Sequence, residues 1–243
     1  MRIDINCDVG EGLNNEHLLM PYITSCNIAC GGHFGDKNSI DKTIEIATQN
    51  NVLIGAHPSF PDTENFGRKL INISDDAFKE SIENQLNLFM NRLSFFDIKL
   101  HHIKSHGALY NAIAVDEKLA VLFINTIKKY AIDSYLYVPY NSVIERVAIE
   151  NNIKIKYEAF ADRNYNDDLT LVSRTYENAL ILDKKQVFQH VSRIVKGGKV
   201  KTVSGKEVKI KADTFCLHGD TKNAIEIVEY VSKKLKNQGI IVG

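Results

Sequence analysis

Leu100-His101-His102-Ile103-Lys104-Ser105-His106-Gly107-Ala108-Leu109-Tyr110-Asn111 carries the pattern on which the fold turns. An apolar, β-leaning run stops at Lys104, His106 and Gly107 and passes into a helix-like segment. Polar groups gathered where a strand hands over to a helix are how α/β enzymes present chemistry at one edge of a sheet. Taken alone, the stretch is equally a capped loop with one incidental histidine. Its recurrence along the chain weighs against that.

Toward the N-terminus, Val52–Ala56 runs into His57-Pro58-Ser59-Phe60-Pro61-Asp62, and Cys26–Cys30 ends in Gly31-Gly32-His33-Phe34-Gly35-Asp36. Ile3–Cys7 alternates and then breaks into Asp8-Val9-Gly10-Glu11-Gly12, crowding Asn6, Asp8 and Glu11 at one end. Toward the C-terminus, Tyr135–Val138 stops at Pro139-Tyr140-Asn141, Ile153–Phe160 at Ala161-Asp162-Arg163, and Thr214–Leu217 at His218-Gly219-Asp220. Helical patterns fill the intervals: Leu13–Tyr22, Ser39–Asn50 capped by Asp36, Ser74–Phe95, Asp116–Tyr130, Val143–Ile149 and Lys184–Val195. A last helix, capped by Asp220 or Thr221, is expected to reach Asn237. Lys199–Ala212, alternating around Ser204-Gly205, reads as a β-hairpin.

About seven strand-then-helix units predict a parallel sheet with right-handed crossovers, most strands being non-alternating because both faces are covered. No Gly-x-Gly-x-x-Gly follows the first strand, which favours a (β/α) barrel over an open dinucleotide-binding sheet. Neither is there a Gly-x-x-x-x-Gly-Lys-Ser/Thr phosphate loop: Gly205-Lys206 is followed by Glu207. With 243 residues and no linker or low-complexity segment, one barrel domain over residues 1–243 is expected.

Thirty basic and thirty acidic residues cancel, and no basic block occurs. Binding dominated by nucleic-acid phosphates or an anionic membrane is not expected. No apolar run reaches the roughly 18 residues that span a bilayer, and the N-terminus reads as a strand rather than a signal peptide, so a cytoplasmic location is expected. Cys7, Cys26, Cys30 and Cys216 lie in or beside apolar runs without a Cys-x-x-Cys pair and read as buried small hydrophobes.

All the polar clusters follow strands and so fall on one rim: Asn6, Asp8, Glu11, His33, His57, Lys104, His106, Asp162, Arg163, His218 and Asp220. Four histidines on separate strand ends, each beside glycine or proline, are hard to explain as packing. Histidine suits proton transfer near neutral pH, with Asp orienting it or acting as base. Asp with two or three His equally suits a divalent metal, although no His-Glu-x-x-His or other compact ligand spacing occurs. Arg163 beside Asp162 is either a structural ion pair or a two-pronged anion clamp, and Arg174 is a second candidate anion contact.

Six of these motifs, in order, resemble those of the LamB/YcsF family: Asn6–Gly12, Asn27–His33, Gly55–Asp62, Lys104–Tyr110, Phe160–Arg163 and Leu217–Asp220. The resemblance implies a seven-stranded barrel of the glycoside hydrolase/deacetylase type. It also implies a role as the A subunit of the ATP-dependent 5-oxoprolinase, a hydrolase that opens the cyclic amide of 5-oxo-L-proline to L-glutamate together with subunits B and C. ATP is then a co-substrate, and whether its site lies on this chain or on its partners stays open.

On that reading Asp8, His57, Lys104, His106 and His218 are the expected catalytic set. Asn6, Glu11, His33, Asp162, Arg163 and Asp220 are the expected substrate contacts. The chain departs from the family at Ser105, where Pro is expected, and at Leu169, Ser173 and Asn178, where Gly, Pro and Gly are. These changes put the shape of the 165–178 loop in question. Rival readings are a stand-alone metal-dependent deacetylase or amidohydrolase, and a non-catalytic subunit that holds a small carboxylate.

Overall fold

The computed structural model describes residues 1–243. Its strands are β1 (Arg2–Val9), β2 (Ser25–Ala29), β3 (Leu53–His57), β4 (His102–Ile103), β5 (Tyr135–Pro139) and β6 (Ile155–Phe160), then an excursion hairpin of β7 (Lys199–Lys201) and β8 (Glu207–Lys209). β9 (Thr214–Cys216) and β10 (Ile241–Val242) complete the set. The helices are α1 (Glu16–Leu19), α2 (Lys37–Gln49), α3 (Asp75–Phe95), α4 (Gly107–Ile113), α5 (Glu117–Ile127), α6 (Val143–Glu150), α7 (Lys184–Gly197) and α8 (Ala224–Asn237).

Strands β1 to β6 pair in sequence order, all parallel, and β9 closes the sheet by pairing with both β6 and β1. The result is the expected seven-stranded (β/α) barrel. β10, which no sequence signal announces, adds to the start of β1 through Arg2↔Ile241 and Ile3↔Val242. The hairpin of β7 and β8 is antiparallel and lies outside the barrel.

Helix starts follow their capping residues. Asp36 and Ser39 form a reciprocal capping box on α2, and Ser74 accepts from the Ala77 amide at the start of α3. The last helix departs from expectation. Asn223, not Asp220 or Thr221, stands at the start of α8, because Asp220 is engaged by Arg68 and Thr221 by Asp162.

The two faces of the barrel wall differ in chemistry. Outward residues of β1 (Ile3, Ile5, Cys7, Val9) join one continuous apolar cluster with the inner faces of α2, α3, α5, α6, α7 and α8. Their inward neighbours Asp4, Asn6 and Asp8 enter a polar interior. Strands expected to be apolar on both faces are therefore half polar, as in Ser25-Cys26-Asn27-Ile28 and Thr214-Phe215. At the bottom, the Asp4 carboxylate accepts from Ser25, Thr214 and Tyr137 hydroxyls. Above it, Asn27 donates to Asn6 and Asp8 at 2.7 Å each, and Asn6 donates to Glu158 at 3.0 Å. Such a network is tolerable only because its members find partners inside the barrel. His102 fills the space over Gly55, stacked on Tyr137 with ring centroids 3.9 Å apart. A Cβ at Gly55 would lie 2.2 Å from the His102 ring, so only glycine admits this close approach.

Candidate active site

The top of the polar interior opens at the C-terminal rim into a cavity of about 500 Å³. Asp8 at the end of β1, His57 at the end of β3, and Lys104 and His106 after β4 reach it. Glu11, Arg163, His218 and Asp220 also line it, from the loops that follow β1, β6 and β9. The structure thus brings together most of the predicted set. Asn6, His33 and Asp162 do not line the cavity. Asn6 lies one layer below, His33 packs behind His106, and Asp162 is buried beneath His218.

Lys104 is the electrostatic centre. Its ammonium is buried, 2.9 Å from Asp8 Oδ1, 3.1 Å from Glu158 Oε1 and 2.9 Å from Cys216 Sγ. Burial alone would discharge it, yet the facing Asp8, Cys216 and Glu158 raise its pKa well above the usual lysine range. Asp8 shows the converse balance. Burial opposes its ionisation, but His57 and Lys104 hold its carboxyl well below the usual range. An ammonium and a carboxylate therefore persist where water hardly enters.

Two histidines meet beside Asp8. His57 Nδ1 donates to the Lys104 carbonyl at 2.7 Å, and His106 Nε2 donates to the Phe66 carbonyl at 3.0 Å. Their other nitrogens, His57 Nε2 and His106 Nδ1, face each other at 3.0 Å. Asp8 Oδ2 lies 3.3 Å from the first and Glu11 Oε1 3.5 Å from the second. His33 donates to Glu11 at 2.9 Å and stacks on His106, ring centroids 3.7 Å apart, fixing that ring from behind. Burial pushes the pKa of His106 well below the ordinary imidazole value. The four groups Asp8, Glu11, His57 and His106 are close enough to hold a metal ion together.

The loop after β3 is pinned over this pair. Gln85 of α3 receives the Ser59 amide and donates to the Ser59 carbonyl. Gly67 lies against His106 and His33 with φ +61, where an added Cβ would come within 3.0 Å of both. On the opposite wall His218 Nδ1 donates to Asp162 at 2.9 Å, and Thr221 donates to the same carboxylate at 2.7 Å. This Asp–His dyad fixes the ring tautomer and leaves Nε2 free.

Arg163 donates to the carbonyls of Val172 and Ala179, so part of its fork ties down the following loop. Burial, with Arg174 nearby, pushes its pKa down to about 10. Arg68, absent from the predicted set, pairs with Asp220 across the mouth. Glu158 and Asn27, also missed, sit on the inner face of strands whose two-residue alternation was the available signal.

The departures at Ser105 and Leu169 leave local marks. The Ser105 hydroxyl is buried without a hydrogen-bond partner. Leu169 holds φ +69, a conformation that favours glycine.

The LamB/YcsF family profile matches residues 3–243. The chain belongs to the LamB/YcsF family. It is 39% identical to the 5-oxoprolinase A subunit of Campylobacter jejuni subsp. doylei over 98% of this chain and 96% of that one. It is 37% identical to the 5-oxoprolinase A subunit of Staphylococcus aureus, over 99% and 98%. The crystal structure of the lactam utilization protein from Thermus thermophilus superposes with a TM-score of 0.93 at 31% identity, covering 100% of this chain and 99% of that one. No helix is long and apolar enough to cross a membrane.

Proposed function

We propose that this family member is the A subunit of an ATP-dependent 5-oxoprolinase, opening 5-oxo-L-proline to L-glutamate with partner subunits B and C. Full-length similarity to chains of that name supports the reading. The observation that carries it from name to chemistry is the cavity floor, where Asp8, His57 and His106 converge above the buried Lys104 ammonium.

A five-membered lactam is a resonance-stabilised amide, and opening it requires a strong nucleophile, charge stabilisation and a proton for the departing nitrogen. Asp8, His57 and His106 position and deprotonate the attacking water. The carbonyl oxygen gains negative charge as the C–O bond forms. Lys104 and Arg163 supply the positive field for that charge or for the substrate carboxylate. His218, held by Asp162, protonates the ring nitrogen as the C–N bond breaks, as an Asp-oriented histidine does in acyl transfer. Asn6, His33 and Asp162 act by holding Asp8, His106 and His218 in place.

ATP hydrolysis makes the coupled opening favourable. The chain lacks a phosphate loop, so a nucleotide site on it would be of another kind, and the site lies on this chain, on its partners or on a surface they share. Work in a cytoplasm rich in ATP fits this coupling.

The test is ATP-dependent glutamate release by the reconstituted subunits. His106→Ala should abolish turnover with the circular dichroism spectrum unchanged. Near-normal activity in that variant would overturn the assignment.

A further inference from the structure

The contact between His57 and His106 cannot be an ordinary hydrogen bond between two neutral rings. A carbonyl oxygen only accepts, so His57 Nδ1 and His106 Nε2 carry the ring protons that bond Lys104 and Phe66. His57 Nε2 and His106 Nδ1 are then both lone pairs, 3.0 Å apart. Asp8 Oδ2 and Glu11 Oε1 stand beside them at 3.3 and 3.5 Å. With both rings neutral, four acceptors converge and no donor lies between them, whereas a charged His57 would place one proton there.

The charge balance points the same way. Lys104 is the cation facing Asp8 and Glu158, while Glu11 lies beside His106 and has no contact with Lys104. Acidic side chains thus outnumber the one buried ammonium at the cavity floor, and a cation beside Asp8 and Glu11 would balance them. A single proton between the rings would satisfy one lone pair. A divalent cation would meet all four acceptors at once.

We infer that Asp8, Glu11, His57 and His106 form a binding site for a divalent first-row transition ion such as Zn²⁺. Two imidazole nitrogens with two carboxylate oxygens suit such an ion better than Mg²⁺, which favours oxygen ligands. The four candidate ligand atoms all lie within 4.8 Å of one another, close enough to share one ion. All four residues line the cavity, so the ion faces it and supplies Lewis-acid chemistry there. The inference stands independently of the lactam reading. Ring opening needs these side chains in either case, and what differs is whether a proton or a metal ion lies among them.

The test uses the full chain, stripped with a chelator and titrated with Zn²⁺ by calorimetry and with Co²⁺ by visible absorption. The expected result is one equivalent bound, Co²⁺ ligand-field bands, and a raised melting temperature. His57→Gln and His106→Gln should each weaken binding by more than about 100-fold, since losing an outer partner of a metal ligand alone costs about 10- to 100-fold. Glu11→Gln, a near-isosteric change in a loop, should weaken it too and serves if a histidine variant fails to fold. No binding by the unmodified chain, or binding undiminished in the variants, would overturn the site.

Discussion

Asp8→Asn is expected to lower turnover in the reconstituted enzyme by about 10²- to 10⁴-fold, the range typical for losing a positioned acid–base group. The amide keeps the shape of the carboxylate, and its oxygen can still accept from Lys104 and Asn27, now 2.9 and 2.7 Å away. What disappears is the negative charge beside His57 Nε2. In its place an amide N–H can donate to that nitrogen and block it as a proton acceptor. Substrate binding should therefore change little while kcat falls. An unchanged kcat would remove Asp8 from the chemistry. A selective rise in KM would instead favour a role limited to holding a carboxylate.

Lys104→Met should have the largest effect on stability. The methionine fills similar volume, but Asp8, Glu158 and Cys216 lose the cation they share. Breaking a buried ion pair by removing one partner costs about 3–5 kcal/mol, because the remaining charge stays buried. Urea unfolding should show that loss as a lower midpoint. Adding Glu158→Gln to Lys104→Met should recover part of it by removing one orphaned charge. Equal stability of the single variant and the unmodified chain would contradict the placement of Lys104 at the electrostatic centre.

The barrel was legible because its outer wall obeys simple rules: β-leaning runs, glycine or proline after them, and helices with recognisable caps such as Asp36 and Ser74. Asp8, His57, Lys104 and His218 were legible because each interrupts an apolar run at a strand end. The polar interior was harder to read. β4 spans only His102 and Ile103, too short to display alternation, and the lone acid Glu158 gives no sign of facing Lys104 across the barrel. Arg68 lies in a loop without periodicity, and only the closed fold brings it to Asp220, 152 residues away. β10 is two residues long and depends on β1 for its definition. Spacing cannot reveal the meeting of His57 and His106 either, because 49 residues separate them and they meet only where the segments after β3 and β4 run side by side, the His106 amide donating to the Pro58 carbonyl at 2.8 Å.

The most direct measurement of the central claim is glutamate release from 5-oxo-L-proline by this chain alone, by the partner subunits alone, and by the mixture, each with and without ATP. Release that requires the mixture and ATP, and that disappears with Asp8→Asn, is the predicted result. Absence of release from the complete mixture, with every component folded and ATP present, would contradict it.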